Sequence, residues 1–98
     1  MNSFAGASRE RYLKEFAFVN EVAKGLRLNL AAYRVSQEQW VRFNELRDQG
    51  KDFGHIVKKT RIRDLAAAYL LEGLRVCIRK FDNDKDQVQQ CLEGKIDP

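Results

Sequence analysis

The sequence predicts a mostly α-helical domain with one short strand, and three patterns in its 98 residues support this fold class. Apolar residues recur with helical spacing in three stretches, near residues 8–24, 37–49 and 60–81. Ser36 and Gln39 have the spacing of a helix capping box. Residues 26–30 alternate apolar and polar side chains, which is the period of a strand. The alternative is an all-α bundle of four or five helices, because the alanines at 31 and 32 favour helix over strand.

Composition predicts the size and class of the protein. The apolar fraction of 44% and the charged fraction of 33% are typical of one small soluble domain, whose limited core favours an oligomer. We expect no membrane span, because no apolar run reaches about 18 residues, and the N-terminus lacks the pattern of a secretion signal. The chain is therefore predicted to be cytoplasmic, with Cys77 and Cys91 as reduced thiols rather than a disulfide.

The N-terminal half is predicted to contain two helices separated by the strand. The first helix spans residues 8–24, and its apolar stripe is Tyr12, Phe16, Val19 and Ala23. We expect this stripe to pack in the core, although a protein partner could also bind this helix. The second helix runs from the Ser36 cap to about Gln49 and ends at Gly50. Residues 51–55 are expected to form a loop.

Thr60 is predicted to begin the longest helix, because a threonine hydroxyl can cap a first turn. This helix should end near Phe81 and be buried over most of its circumference, because its apolar residues form two adjacent stripes. Residues 82–98 form a short acidic C-terminal segment. Asp84 or Asp86 is expected to cap a short helix there, and Gly94 to end it.

The positive charge lies in the middle of the chain. Residues 24–63 carry ten basic and four acidic side chains, a net charge of +6, whereas the whole chain has +4. Lys58, Lys59, Arg61 and Arg63 surround Thr60, where cations would oppose the dipole of a helix N-terminus. Their presence there is explained if an anion such as a phosphate binds that helix end.

The sequence contains no pattern typical of catalysis or of metal binding. His55 is the only histidine, and neither a nucleophile motif nor a glycine-rich phosphate loop is present. The two cysteines lack zinc-ligand spacing, and the aspartates of residues 82–86 lack the glycine of a calcium loop. We therefore expect a protein that is not an enzyme and that needs neither metal nor cofactor.

The order of strand, capped helix, loop, basic cap and long helix over residues 28–81 resembles the ribbon-helix-helix DNA-binding proteins. The resemblance implies a homodimer, in which two strands pair into a ribbon that enters the major groove of double-stranded DNA. It also implies that Tyr33 and Val35 face the dimer core, whereas Ala32 and Arg34 face the groove. The first helix, residues 8–24, replaces the short arm of many members of that family.

The resemblance also implies which side chains contact DNA. Arg34 would bind a base, because arginine can donate two hydrogen bonds to guanine. Asn29 and Arg27 would extend the ribbon as further contacts, to a base or to the backbone. The phosphate contacts would come from Lys58, Lys59, Thr60, Arg61 and Arg63, which position the protein without reading the sequence. The expected function is that of a transcriptional or plasmid-type regulator.

A second function is consistent with the same sequence. If residues 26–34 are helical, the protein would be a small all-α adaptor or inhibitor that binds another protein. Its basic surface would then bind an acidic or nucleic-acid-mimicking partner. Strand or helix at these residues, and the number of chains in the assembly, distinguish the two functions.

Overall fold

Five α-helices make up the described part of the chain, which in this computed structural model is residues 3–25, 35–82 and 84–98. They are α1 (Ser3–Gly25), α2 (Gln37–Asp48), α3 (Phe53–Thr60), α4 (Leu65–Phe81) and α5 (Lys85–Leu92). The expectation of a mostly α-helical protein is confirmed. The strand falls on residues 26–34, outside the described residues, and it stays a prediction.

The core lies where α1, α2, α4 and α5 meet. Helix α1 packs against α2 and α5, α2 also contacts α3 and α4, and α4 contacts α5. The indole of Trp40 is fully buried at the centre of this core. The apolar stripe of α1 is in the core as expected, since Tyr12 is 4% exposed and Val19 is fully buried. Helix α1 therefore uses its apolar side within its own chain.

Helix α2 begins with the capping box that the sequence predicts. The Gln39 amide donates to Ser36 Oγ at 3.1 Å, and the Ser36 amide donates to Gln39 Oε1 at 2.9 Å. These two bonds satisfy backbone donors that the first turn of a helix cannot pair internally. Gly50 ends this region at φ +82°, a conformation that favours glycine.

The loop expected at residues 51–55 is wrong for most of its length, because α3 begins at Phe53. Asp52 is its N-cap, and the Asp52 carboxylate accepts from the His55 amide at 2.8 Å. Phe53, Ile56 and Val57 also have the spacing of one helical face. Asp52, a residue type common in turns, is therefore the cap of a helix.

The predicted start of the long helix is also wrong. Thr60 is the last residue of α3, and its hydroxyl donates back to the Ile56 carbonyl at 2.7 Å. Arg61 then adopts a left-handed backbone with φ 58°, which ends α3. The N-cap of α4 is Asp64, whose carboxylate accepts from the Ala66 amide at 2.9 Å. A threonine hydroxyl can cap a helix or bond one turn back, and here it does the latter.

Removing the true cap is expected to cost more stability than removing the Thr60 hydroxyl. We predict that Asp64→Ala lowers the free energy of unfolding by about 1 kcal/mol, because one orphan donor of α4 loses its acceptor. Thr60→Val keeps the buried shape and should cost about 0.5 kcal/mol or less. Urea unfolding of both variants measures the difference. A larger loss for Thr60→Val would contradict the assignment of the cap to Asp64.

Helix α4 is buried on one side only, contrary to the expectation of burial over most of its circumference. Leu65, Tyr69 and Val76 are 56%, 63% and 41% exposed. Together with Lys80 they follow one line along the helix, at i, i+4, i+11 and i+15, and we call this line the outer face of α4. One of the two predicted apolar stripes packs in the core, whereas the other is largely exposed, with the Tyr69 ring stacked on Phe53 of α3 at 4.7 Å between ring centroids.

The C-terminal helix is confirmed, with Asp84 as its cap and Gly94 at φ +78° beyond its end. The prediction of two reduced thiols is wrong, because Cys77 of α4 and Cys91 of α5 form a disulfide. Their Cα atoms are 5.8 Å apart, within the usual range for a disulfide. Compartment statistics suggested free thiols, but they could not show that α5 turns Cys91 towards Cys77.

Candidate functional site

Among the described residues, exposed cations are densest at residues 58–63, the last turn of α3 and the start of the link to α4, which we call the basic segment. Lys58, Lys59, Arg61 and Arg63 are exposed, and none of them makes an ion pair with a described residue. Lys58 and Lys59 occupy the last turn of α3, where the helix dipole favours cations. Lys58 and Lys59 therefore interact favourably with the dipole of α3 without a bound anion. The dipole argument for a phosphate at a helix N-terminus does not apply to them.

The basic segment is held in place from below by its two uncharged residues. Thr60 is 6% exposed and Ile62 is 6% exposed, so both side chains point into the protein. Arg61 and Arg63, on either side of Ile62, are exposed. This alternation anchors the backbone in the core and directs the charged side chains outwards.

A hydrogen bond ties the basic segment to the beginning of α2. The Gln39 side-chain amide donates to the Thr60 carbonyl at 3.2 Å, while Gln39 Oε1 accepts from the Ser36 amide. One glutamine thus joins residue 60 to residue 36, the position that follows the predicted ribbon. The backbone of the basic segment therefore lies close to the N-terminus of α2.

Other lysines lie in a different electrostatic setting. Lys14, Lys24, Lys85 and Lys95 are each within 4 Å of a glutamate, at distances between 3.4 and 3.9 Å. The cations that make no ion pair with a described residue are Arg42, Lys51, Lys58, Lys59, Arg61, Arg63 and Lys80. Five of these seven lie within residues 51–63, so the positive field is concentrated there.

Three of the proposed DNA-contacting residues cannot be compared with the structure. Arg34, Asn29 and Arg27 lie outside the described residues, as does Tyr33. Val35 is described and is 9% exposed, part of the hydrophobic core. Thr60, proposed as a phosphate contact, has its hydroxyl turned to Ile56 inside α3, so only its backbone can serve that role.

A buried polar cluster between α1, α2 and α4 was not anticipated from the sequence. Asn44 is fully buried, and its Oδ1 accepts from Arg75 at 2.7 Å and from Arg79 at 3.2 Å. Arg75 also donates to Asp48 at 2.9 Å, and Asp48 accepts from the Tyr12 hydroxyl. The only signal in the sequence was a polar Asn44 between the apolar residues 43 and 46.

The arginines of this cluster pair with two acidic groups, Asp48, which is exposed, and Glu15, whose side chain is 9% exposed. Arg79 pairs with Glu15 at 3.3 Å and lies over the Tyr12 ring, 5.2 Å from its centroid. Burial raises the pKa of Glu15, although the charges of Arg79 and Arg11 oppose that rise. Burial acts to lower the pKa of Arg75, but the Tyr12 hydroxyl and Asp48 outweigh it and the pKa is raised. These hydrogen bonds and ion pairs join α1, α2 and α4, although Glu15 Oε1 is buried without a hydrogen-bond partner.

No family model matches this chain, and neither a curated protein nor a solved structure matches it. Among residues 3–25, 35–82 and 84–98, no helix has the length and apolarity needed to cross a membrane. In the same ranges, no three His, Cys, Asp or Glu side chains are grouped as ligands for a metal ion. The basic segment and the outer face of α4 are therefore the features from which a function can be argued.

Proposed function

We propose that the protein binds double-stranded DNA as a homodimer and acts as a transcriptional or plasmid-type regulator. The basic segment contacts phosphates, and residues 27–35 of two chains pair into a ribbon that reads bases through Arg34. The observation that carries this proposal is the bond from Gln39 to the Thr60 carbonyl. It holds the backbone of the basic segment close to the residue that follows the ribbon, which supports contact of both segments with one duplex.

The phosphate contacts in this proposal differ from those that the resemblance implies. Lys58, Lys59, Arg61 and Arg63 act as charged side chains on a rigid link, since Asp64 occupies the N-cap of α4. Such contacts position the protein and supply affinity that depends on salt. Base specificity then depends on Arg34 and its neighbours.

The outer face of α4 supports a second copy of the chain as its occupant. Three large apolar side chains are exposed there, and an antiparallel pairing about a two-fold axis near residues 72 and 73 makes the face self-complementary. Tyr69 of one copy then meets Val76 of the other, and Leu65 meets the aliphatic part of Lys80. The ammonium group of Lys80 lies beside Asp64 of the second copy, with opposite charge.

The same pairing gives a separation that suits duplex DNA. With a rise of 1.5 Å per residue, an axis between residues 72 and 73 sets the two copies of Leu65 about 22 Å apart along the helix, and the basic segments lie beyond these two ends. One turn of DNA is about 34 Å, so both basic segments can contact one duplex. Three side chains bury less than the roughly 800 Å² per partner of a typical stable interface, and the paired ribbon supplies the remainder.

A charge placed on the outer face of α4 is expected to separate the dimer and weaken DNA binding together. We predict that the wild-type protein has the mass of two chains at micromolar concentration, and that Val76→Asp has the mass of one. The slope of log affinity against log salt should fall by about half, because each chain supplies its own phosphate contacts. Sedimentation and fluorescence anisotropy with a labelled duplex measure both effects.

The matched control is Ala17→Asp, which adds the same charge at an exposed position of α1. It should keep the mass of two chains and most of the affinity for DNA. A wild-type protein that is monomeric at micromolar concentration would contradict the proposal. If the wild-type protein also binds no duplex at low salt, the adaptor or inhibitor function becomes the better account, with the outer face of α4 as its partner surface.

A further inference from the structure

Helix α5 depends on the rest of the protein for its stability. It has eight residues, fewer than an isolated helix needs in water. Only Val88 and Cys91 are buried among its side chains. Its polar attachments to α1 are weak, since Gln89 donates to the Val22 carbonyl at 3.4 Å and Lys85 is 3.9 Å from Glu21.

The covalent link is therefore a large part of what holds α5. It joins Cys77 to Cys91 across a sequence separation of 14 residues. For a loop of this length, the chain-entropy model gives a shift on the order of 100-fold in the equilibrium between docked and open chain. The two cysteines are only 4% and 7% exposed, so a reductant reaches the sulfur atoms only when α5 opens.

Helix α5 packs against α4 next to the outer face of α4. A Cβ atom built on Gly73 would lie 3.2 Å from Leu92 Cδ2, so α4 and α5 approach closely at this glycine. Gly73 precedes Val76 by three residues, and its contact with α5 lies on the side of α4 next to the outer face. Opening of α5 removes the neighbour that packs against α4 at this position.

We propose that the Cys77–Cys91 disulfide is a redox latch that holds α5 on α4 and thereby controls dimerisation. In the reaction a thiolate of a dithiol reductant attacks one sulfur atom and forms a mixed disulfide. Its second thiolate displaces the remaining cysteine, which leaves two thiols on the protein and a disulfide on the reductant. Two electrons and two protons pass from the reductant to the protein.

The link to regulation rests on the proposed function, because a DNA-binding protein works in an intracellular, reducing compartment. Disulfides in that setting are usually transient and respond to oxidants. The oxidised protein is then the dimeric, DNA-binding form. The reduced protein has an open α5, an unsupported outer face and weaker self-association. Exchange with an oxidised dithiol, which takes up the two electrons and two protons, re-forms the Cys77–Cys91 disulfide and restores the dimer.

Hydrogen exchange on the full-length chain, oxidised and then reduced with dithiothreitol, tests the latch. The amides of residues 87–92 are expected to lose on the order of 100-fold protection on reduction. Amides of α2, such as Trp40 and Leu46, should lose much less. The double variant Cys77→Ala, Cys91→Ala should exchange like the reduced protein with or without dithiothreitol. Unchanged protection of residues 87–92 on reduction would overturn the latch.

Sedimentation of the same samples tests the regulatory part separately. Reduction should lower the association constant of the dimer at least tenfold. The double variant should have the association constant of the reduced protein. An equal dimer fraction in both states, with α5 open in one, would show that the latch does not control assembly. A chain that is monomeric and binds no DNA in either state would refute the proposed function and this control, while the exchange result would still decide the latch.

Discussion

Replacing Lys58, Lys59, Arg61 and Arg63 together by alanine is expected to weaken binding to duplex DNA about a thousandfold in 0.1 M salt. Each phosphate contact contributes about 0.9 to the slope of log affinity against log salt, so four contacts per chain contribute up to about 3.6. The folded state should change little, because all four side chains are exposed and make no ion pair with a described residue. Fluorescence anisotropy over a series of salt concentrations measures both affinity and slope.

The control for this variant removes the same charge elsewhere. Alanine at Lys14, Lys24, Lys85 and Lys95 lowers the net charge equally. These lysines lie on α1, on α5 and in the C-terminal segment, and each is within 4 Å of a glutamate. We expect this control to keep most of the affinity and most of the salt slope. Equal losses for the two variants would mean that overall charge, and not the basic segment, carries DNA binding.

Asn44→Ala is expected to lower the free energy of unfolding by about 3 kcal/mol. The change removes the acceptor shared by Arg75 and Arg79 and the bond to the Trp40 carbonyl at 2.8 Å. The arginine side chains are 19% and 27% exposed, so water replaces only part of what they lose. Urea unfolding followed by circular dichroism measures the effect.

Asn44→Asp distinguishes loss of the acceptor from loss of packing. A carboxylate accepts from both arginines, and charge-assisted hydrogen bonds are stronger than neutral ones. The loss for this variant should therefore be at most about 1 kcal/mol at neutral pH. If Asn44→Asp and Asn44→Ala are equally unstable, the polar cluster does not hold α1, α2 and α4 together in the way its hydrogen bonds suggest.

Caps and glycines in the sequence correctly predicted the start of α2 and both ends of α5. The capping box at Ser36 and Gln39 gave the start of α2, because both bonds are made within three residues. Asp84 and Gly94 likewise enclosed α5. Helix α3 was missed because Asp52 and Gly54 are typical of turns, although Phe53, Ile56 and Val57 already had helical spacing. In this case the cap and the spacing were better guides than the turn residues.

The basic segment could be found from the sequence, but its setting could not. The sequence shows four basic residues within residues 58–63. Which helix end they occupy depended on whether Thr60 or Asp64 caps α4, and both residues are good caps. The tie from Gln39 to Thr60 and the cluster around Asn44 join residues far apart in the chain, so no local pattern contains them.

The outer face of α4 and the disulfide show a related limit. Hydrophobic spacing identifies apolar stripes, but it does not say whether a stripe packs within the chain or on a second copy. The spacing therefore predicts Leu65 and Tyr69 as core residues, whereas both are exposed. The pairing of Cys77 with Cys91 depends on how α5 folds back on α4, which composition does not specify.

The central claim is that the basic segment and the residues before α2 bind one duplex together. Backbone amide shifts of the full-length protein, followed while duplex DNA is added, test it most directly. We predict that residues 27–36 and 58–63 shift in the same titration with the same dissociation constant, while the amides of α5 shift little. Shifts confined to α1 and α5, or no shift at residues 58–63, would contradict the claim.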